Sequence, residues 1–111
     1  MMKTLREVLQ DAEKRRVAVG HFNFSELTVL KAVGEAAREL DTAVVVGVSE
    51  SEIEFVGVQE AVALVKAMRD AGLCIFLNAD HTHSLEKTEE AAGAGFELYL
   101  THLRFDGSKF Q

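Results

Sequence analysis

The chain has 111 residues, of which 48% are hydrophobic and 27% are charged, with a formal net charge of −6 at pH 7. This composition is typical of one globular domain and excludes a disordered polypeptide. The acidic balance argues against nucleic-acid binding, and no apolar run approaches the roughly 20 residues that span a membrane. The single cysteine, Cys74, excludes an intrachain disulfide, so we expect a packed thiol and a cytoplasmic location.

Helix and strand signals alternate through the first half of the chain. Thr4 and Glu7 have the spacing of a capping box ahead of an apolar stripe, which predicts a first helix. Two short β-branched or aromatic runs, Val17–Phe24 and Ala43–Val48, predict strands. Between them, Ser25 is expected to cap a second helix.

The second half continues the alternation. A polar connection over Glu50–Gly57 precedes a predicted helix over Val58–Ala71. The apolar run Cys74–Ala79 has the length and bulk of a strand that is buried on both faces. A short helix over Ser84–Ala94 and a fourth strand over Phe96–Phe105 complete the predicted elements.

This order of elements predicts parallel βα repeats with right-handed crossovers, an α/β fold. Two architectures fit: half of a TIM (β/α)8 barrel with four strands, as a single domain over residues 1–111, or a flavodoxin-like doubly wound sheet. A half barrel leaves strand faces and sheet edges open, so we expect a homodimer or higher self-association. The absence of proline and of a helix after the last strand leads us to expect a piece of a larger protein, or an edited sequence.

Asp80 and His81 directly follow the third predicted strand, where α/β folds place their chemistry. Asp80 could act as a general acid/base and His81 as a zinc ligand. The alternative is that Asp80 caps the next helix and His81 is a loop residue. His83 is a second candidate ligand, because residues two apart on a strand share a face. His21 and His102 carry no such argument and are interpreted as packed or exposed imidazoles.

Four segments, in the correct order, resemble the class II (zinc-dependent) fructose-bisphosphate aldolases. They are Gly20-His21-Phe22-Asn23, Ala43 to Ser49, Leu77-Asn78-Ala79-Asp80-His81, and Gly95-Phe96 followed by Phe105 to Phe110. The resemblance covers essentially the whole chain but only the first half of the family's barrel.

The resemblance implies that Asp80 is the catalytic acid/base, that His81 is the first zinc ligand, and that Asn23 and Ser49 lie near the substrate. The family cleaves a ketose bisphosphate into two trioses, with zinc polarising the carbonyl. Its other zinc ligands come from later strands, so we expect this chain to bind no zinc tightly and to be inactive alone. The stretch Glu97–Arg104 is longer than the family pattern, which leaves the register of the last strand open.

Three hypotheses follow. The chain is a segment of a class II aldolase, or a self-associating structural scaffold derived from that barrel, or a flavodoxin-like receiver with Asp80 as phosphoacceptor. A receiver needs an acidic pair after its first strand to hold magnesium, whereas this chain has His21-Phe22-Asn23-Phe24 there. Stoichiometric zinc and aldol cleavage that depends on Asp80 would separate the first hypothesis from the second.

Overall fold

The computed structural model describes residues 3–101, which form five helices and four strands. The helices are α1 (Leu5–Arg15), α2 (Leu27–Glu39), α3 (Glu50–Val56), α4 (Val58–Asp70) and α5 (Leu85–Ala94). The strands are β1 (Gly20–Asn23), β2 (Val44–Ser49), β3 (Ile75–Thr82) and β4 (Leu98–Thr101). Among these residues, no helix has the length and apolar character needed to cross a membrane.

All neighbouring strands in the described sheet are parallel, and their spatial order, β1-β2-β3-β4, is the order of the chain. In a flavodoxin-like sheet the spatial order of the strands is 2-1-3-4-5. The second strand is added on one side of the first and the later strands on the other, and helices cover both faces. The sheet here has no reversal, so each βα unit adds its strand on the same side of the previous one. This succession is the arrangement of a (β/α)8 barrel, and the half-barrel prediction is confirmed.

The larger core lies between one face of the sheet and the helices that follow the strands. Alternate residues of the two central strands point into it, since side chains on a strand alternate between faces. Leu30 of α2 and Ala61 of α4 are completely buried against this face. The strand residues of this core are Val44, Val46, Val48, Ile75, Leu77 and Ala79.

The opposite face of the sheet, which would line a barrel, is covered at one end by α1. Val8 packs there against Val45 and Phe76, in a second and smaller core. The Thr4–Glu7 capping box that predicts this helix is present: the Glu7 N–H donates to Thr4 Oγ1 at 3.2 Å and the Thr4 N–H donates to Glu7 Oε1 at 3.2 Å. Helix α1 therefore closes the amino-terminal end of this face and leaves the carboxyl ends of the strands for the site.

Several predicted boundaries shift. The N-cap of α2 is Glu26 rather than Ser25, because the two carboxylate oxygens of Glu26 accept the N–H groups of Thr28 and Val29. The predicted connection over Glu50–Gly57 is mostly helical. The third strand continues to Thr82, so Asp80 and His81 belong to its carboxyl-terminal end rather than to the loop that follows it.

The first and fourth strands are shorter than expected. Strand β1 begins at Gly20, and all four of its residues are exposed. It pairs with β2 on one side only within residues 3–101, so its other edge carries backbone groups without a strand partner. Strand β4 begins at Leu98, and the part of the predicted strand beyond Thr101 lies outside the described residues, as do His102 and residues 106–108.

Candidate active site

Polar side chains gather at the carboxyl end of the sheet because the parallel strands pair in register. Asn23 is aligned with Gly47 and Ser49 with Asp80, so the ends of three adjacent strands meet at one rim. Side chains on equivalent positions of neighbouring strands share a face. The structure thus brings together Asn23, Ser49 and Asp80, three of the residues selected from the sequence.

Asp80 is the most enclosed of these groups, with 8% of its surface exposed. Its Oδ2 accepts a hydrogen bond from Asn23 Nδ2 at 3.2 Å. The same Nδ2 donates its other hydrogen to Glu52 Oε1 at 3.1 Å. One amide therefore bridges two carboxylates from β3 and α3, although these residues are far apart in sequence.

His81 has a left-handed backbone, with φ of 53°, next to an irregularity in the pairing of β3 with β4. In a regular strand, Asp80 and His81 would point to opposite faces. The left-handed conformation removes that restriction, and His81 Nε2 lies 3.6 Å from Asp80 Oδ1. The imidazole side chain is 56% exposed.

Asp80 does not cap the helix that follows it. The N-cap of α5 is Ser84, whose Oγ accepts the Lys87 N–H at 3.1 Å. The alternative interpretation of Asp80 as a capping residue is therefore wrong. Its carboxylate is turned toward Asn23 instead.

His83 lies beyond the end of β3, so the argument that placed it on the same strand face as His81 does not hold. Its backbone N–H donates to Glu50 Oε2 at 2.8 Å. Within residues 3–101, no group of three or more His, Cys, Asp or Glu side chains is positioned to hold a metal ion. The described residues therefore do not fit a complete zinc site.

Ser49 begins α3 as one half of a second capping box. Its Oγ accepts the Glu52 N–H at 3.3 Å, and its own N–H donates to Glu52 Oε1 at 2.7 Å. Its hydroxyl also lies 3.3 Å from Ser51 Oγ. Ser49 thus fixes the start of the helix that carries Glu52 to the rim.

His21 is also part of this surface, although the sequence provided no positional argument for it. Its Nε2 lies 3.0 Å from Nδ2 of Asn78, a side chain that is 4% exposed. Both residues lie beside Gly47, where a Cβ atom would come within 2.5 Å of His21 Nε2. The glycine therefore provides the space that the imidazole occupies.

Hydrogen bonds set the charge state of the two glutamates at the start of α3. Burial disfavours the charged form of Glu52, but hydrogen bonds from Ser49 and Asn23 outweigh it and lower the pKa of Glu52. The His83 N–H, followed by the Lys87 ammonium, lowers the pKa of Glu50. The Lys87 pKa is raised in return, chiefly by its hydrogen bond with Glu50. Both glutamates are therefore carboxylates at neutral pH.

Glu52 was missed by the sequence analysis as a functional residue. Ser49 and Glu52 have the same S-x-x-E spacing type that predicted the first helix from Thr4 and Glu7, so the cap itself could have been found. The bridge through Asn23 could not, because it joins two elements that only the parallel pairing brings together.

The sequence model of the family "Fructose-bisphosphate aldolase class-II" matches residues 3–111. This chain belongs to the class II fructose-bisphosphate aldolase family. A fructose-bisphosphate aldolase of Helicobacter pylori is 36% identical over 92 residues, covering 81% of this chain and 30% of the relative. One of Staphylococcus epidermidis is 35% identical over 97 residues, covering 84% of this chain and 34% of the relative.

The crystal structure of the YdjI aldolase from Escherichia coli K12 supports the fold of this family member, with a TM-score of 0.78 and 22% identity. The superposition covers 89% of this chain and 39% of that structure. The chain therefore spans about a third of the length of the relatives it matches, and it corresponds to a partial barrel.

Proposed function

We propose that this chain forms the first part of a site for aldol cleavage of a ketose bisphosphate. The observation that carries the proposal is the position of Asp80. Its carboxylate is enclosed at the strand ends, with Asn23 on Oδ2 and His81 beside Oδ1. A carboxylate in such a place is suited to exchange a proton with a hydroxyl group of a bound sugar.

In the proposed reaction, Asp80 takes the proton of the hydroxyl group next to the scissile carbon–carbon bond. The hydroxyl-bearing carbon becomes an aldehyde, and the electrons of the broken bond pass to the ketone fragment. A zinc ion bound in the complete family site would supply a Lewis acid for that fragment. We propose His81 as one imidazole ligand of the metal, whereas a role for His83 remains a prediction. Because a catalytic zinc site needs about three protein ligands, and the resemblance assigns the other ligands to later strands of the family's barrel, we propose that the chain alone is inactive and binds no zinc tightly.

A chimera tests this proposal. This chain would replace the matching region of the Helicobacter pylori relative, with which it shares 36% identity over 92 residues. We expect the chimera to cleave fructose bisphosphate and the isolated chain not to. Asp80→Ala should reduce cleavage by the chimera by about 10²–10⁴-fold, which is the usual contribution of a positioned acid/base.

Asp70→Ala is the matched control for this substitution. Asp70 ends α4 at the other end of the sheet, and its exposed carboxylate pairs with Lys66 at 2.9 Å. We expect no change in cleavage, because the pair is remote from the rim and weak. An Asp80→Ala chimera that retains the rate of the Asp70→Ala chimera would contradict the proposal.

The exposed edge of β1 favours a second candidate function, a self-associating scaffold. Phe22 is 52% exposed on this edge, and an open edge with apolar side chains pairs readily with another chain. We therefore also propose a homodimer, in a cytoplasmic protein whose Cys74 thiol stays reduced. Light scattering should give twice the mass of the chain, and Phe22→Lys should shift it toward the monomer. A wild-type monomer at micromolar concentration would contradict the dimer.

A further inference from the structure

The amide of Asn23 is oriented by two carboxylates. Its Nδ2 donates to Glu52 Oε1 at 3.1 Å and to Asp80 Oδ2 at 3.2 Å. An amide nitrogen has two hydrogens, and both are used here. Rotating the amide by 180° would place its oxygen against two carboxylates, so these two partners determine the orientation of the amide.

The carbonyl oxygen of this amide lies on the face of the sheet that would line a barrel, because Asn23 is aligned with Gly47 and not with the core residues Val46 and Val48. Asn23 Oδ1 lies over Gly47, where it would be 3.5 Å from a Cβ atom built on that residue. No donor within residues 3–101 forms a hydrogen bond with this oxygen, and Asn23 is an exposed residue. What it offers to a ligand at the rim is therefore an acceptor and not a donor.

We propose that Glu52 is a positioning residue that locks the Asn23 amide with its carbonyl oxygen toward the substrate. The ligand group that faces Asn23 must then be a hydrogen-bond donor, such as a sugar hydroxyl, rather than a phosphate or carbonyl oxygen. The role of the Asn23 carbonyl oxygen in substrate binding rests on the proposed function. The lock itself is a property of the chain without substrate or metal.

The contacts of Glu52 explain why a carboxylate is not strictly required for the lock. Its Oε1 accepts both the Asn23 amide, at 3.1 Å, and the Ser49 N–H, at 2.7 Å. Glutamine also has one carbonyl oxygen at this position and could accept both bonds. Leucine has a similar size but no acceptor, so Glu52→Gln and Glu52→Leu separate the hydrogen bond from the shape of the side chain.

Hydrogen exchange of side-chain amides, measured by NMR on the complete chain, tests the lock. In the wild-type protein, the two Hδ2 hydrogens of Asn23 should exchange more slowly than the Hε2 hydrogens of Gln10, an exposed residue on α1. Glu52→Leu should speed the exchange of Asn23 by about fivefold, the effect of losing one typical hydrogen bond. Glu52→Gln should keep it close to the wild-type rate.

Glu7→Leu is the matched control, because it removes an equivalent capping-box hydrogen bond, from Thr4 N–H to Glu7 Oε1 at 3.2 Å, at the start of α1. It should leave the exchange of Asn23 unchanged. Three results would each overturn the proposal: wild-type exchange as fast as that of Gln10, no effect of Glu52→Leu, or an equal effect of Glu7→Leu, which would indicate general loosening. None of these measurements requires substrate or metal, so failure of the lock is distinguishable from an inactive chimera.

Discussion

Substitution of Gly47 by alanine should disturb the rim without touching any proposed catalytic group. A Cβ atom at this position would lie 2.5 Å from His21 Nε2 and 2.6 Å from His21 Cε1. These distances are far inside van der Waals contact, so the imidazole must move. The movement would break the contact of His21 Nε2 with Asn78 Nδ2, which spans 3.0 Å.

The cost follows from the burial of Asn78, which is 4% exposed and whose Oδ1 already has no partner among the described residues. Leaving a buried amide unpaired costs about 1–3 kcal/mol. Alanine restricts the unfolded chain more than glycine, which offsets about 0.5–1 kcal/mol. We therefore expect Gly47→Ala to lower the free energy of unfolding by about 1 kcal/mol, the difference between the middle values of these two ranges.

Urea denaturation monitored by circular dichroism measures this loss. Gly93→Ala is the control, because it makes the same chemical change inside α5, where a Cβ atom would meet nothing within 4 Å. It should raise the free energy of unfolding by about 0.5–1 kcal/mol. The change from glycine to alanine would thus lower the free energy of unfolding at Gly47 and raise it at Gly93.

A double-mutant cycle identifies the clash as the cause. In a His21→Ala background, the imidazole is gone, so Gly47→Ala should lose most of its cost. The reasoning would be refuted if Gly47→Ala were as stable as the wild type, or if its cost were the same with and without His21.

Three further predictions concern the ends of secondary structure elements. His81→Val should lower the free energy of unfolding by about 1–2 kcal/mol relative to His81→Asn, because φ of 53° is strained for a β-branched residue and tolerated by asparagine; thermal unfolding of the two variants measures the difference. Glu50→Gln should remove the contribution that the Glu50 carboxylate makes to the free energy of unfolding. This contribution is present above the ordinary glutamate pKa of about 4.3 and is lost as the pH falls through the lowered pKa of folded Glu50. Stability curves of the two proteins should therefore converge in acid, and a constant gap down to low pH would contradict this assignment. Thr4→Ala should cost about 1 kcal/mol through loss of the α1 cap, and an unchanged urea midpoint would show that the cap contributes nothing.

Local patterns predicted most elements of this chain correctly. The apolar runs form central strands buried on both faces. Ser84 is the N-cap and Gly95 the C-cap of α5, as their capping preferences indicate. The errors were the helix α3, which was predicted as a connection, and several ends of elements. Glu26 replaced Ser25 as a cap because a long carboxylate reached two N–H groups, which the preference for short polar residues does not anticipate.

The rim was only partly predictable. Asp80 and His81 were selected because they follow a buried strand, and Asn23 and Ser49 through the resemblance to the family. Strand periodicity predicted that His83 and His81 share a face of the sheet. This prediction does not apply, because His81 has a left-handed backbone and β3 ends at Thr82.

The amino-acid sequence by itself determined most of the helices and strands, their alternation and the family of the chain, because these depend on local periodicity and on short motifs. It did not predict α3 over Glu50–Val56, which the sequence analysis described as a connection. The tertiary structure alone decided between a half barrel and a doubly wound sheet, since both have the same order of elements and differ only in which strands become neighbours. It alone also placed Glu52 against Asn23 and Asn23 against Asp80. Contacts between residues that distant in the chain arise from the register of the strands, which is set by how the whole sheet packs against its helices.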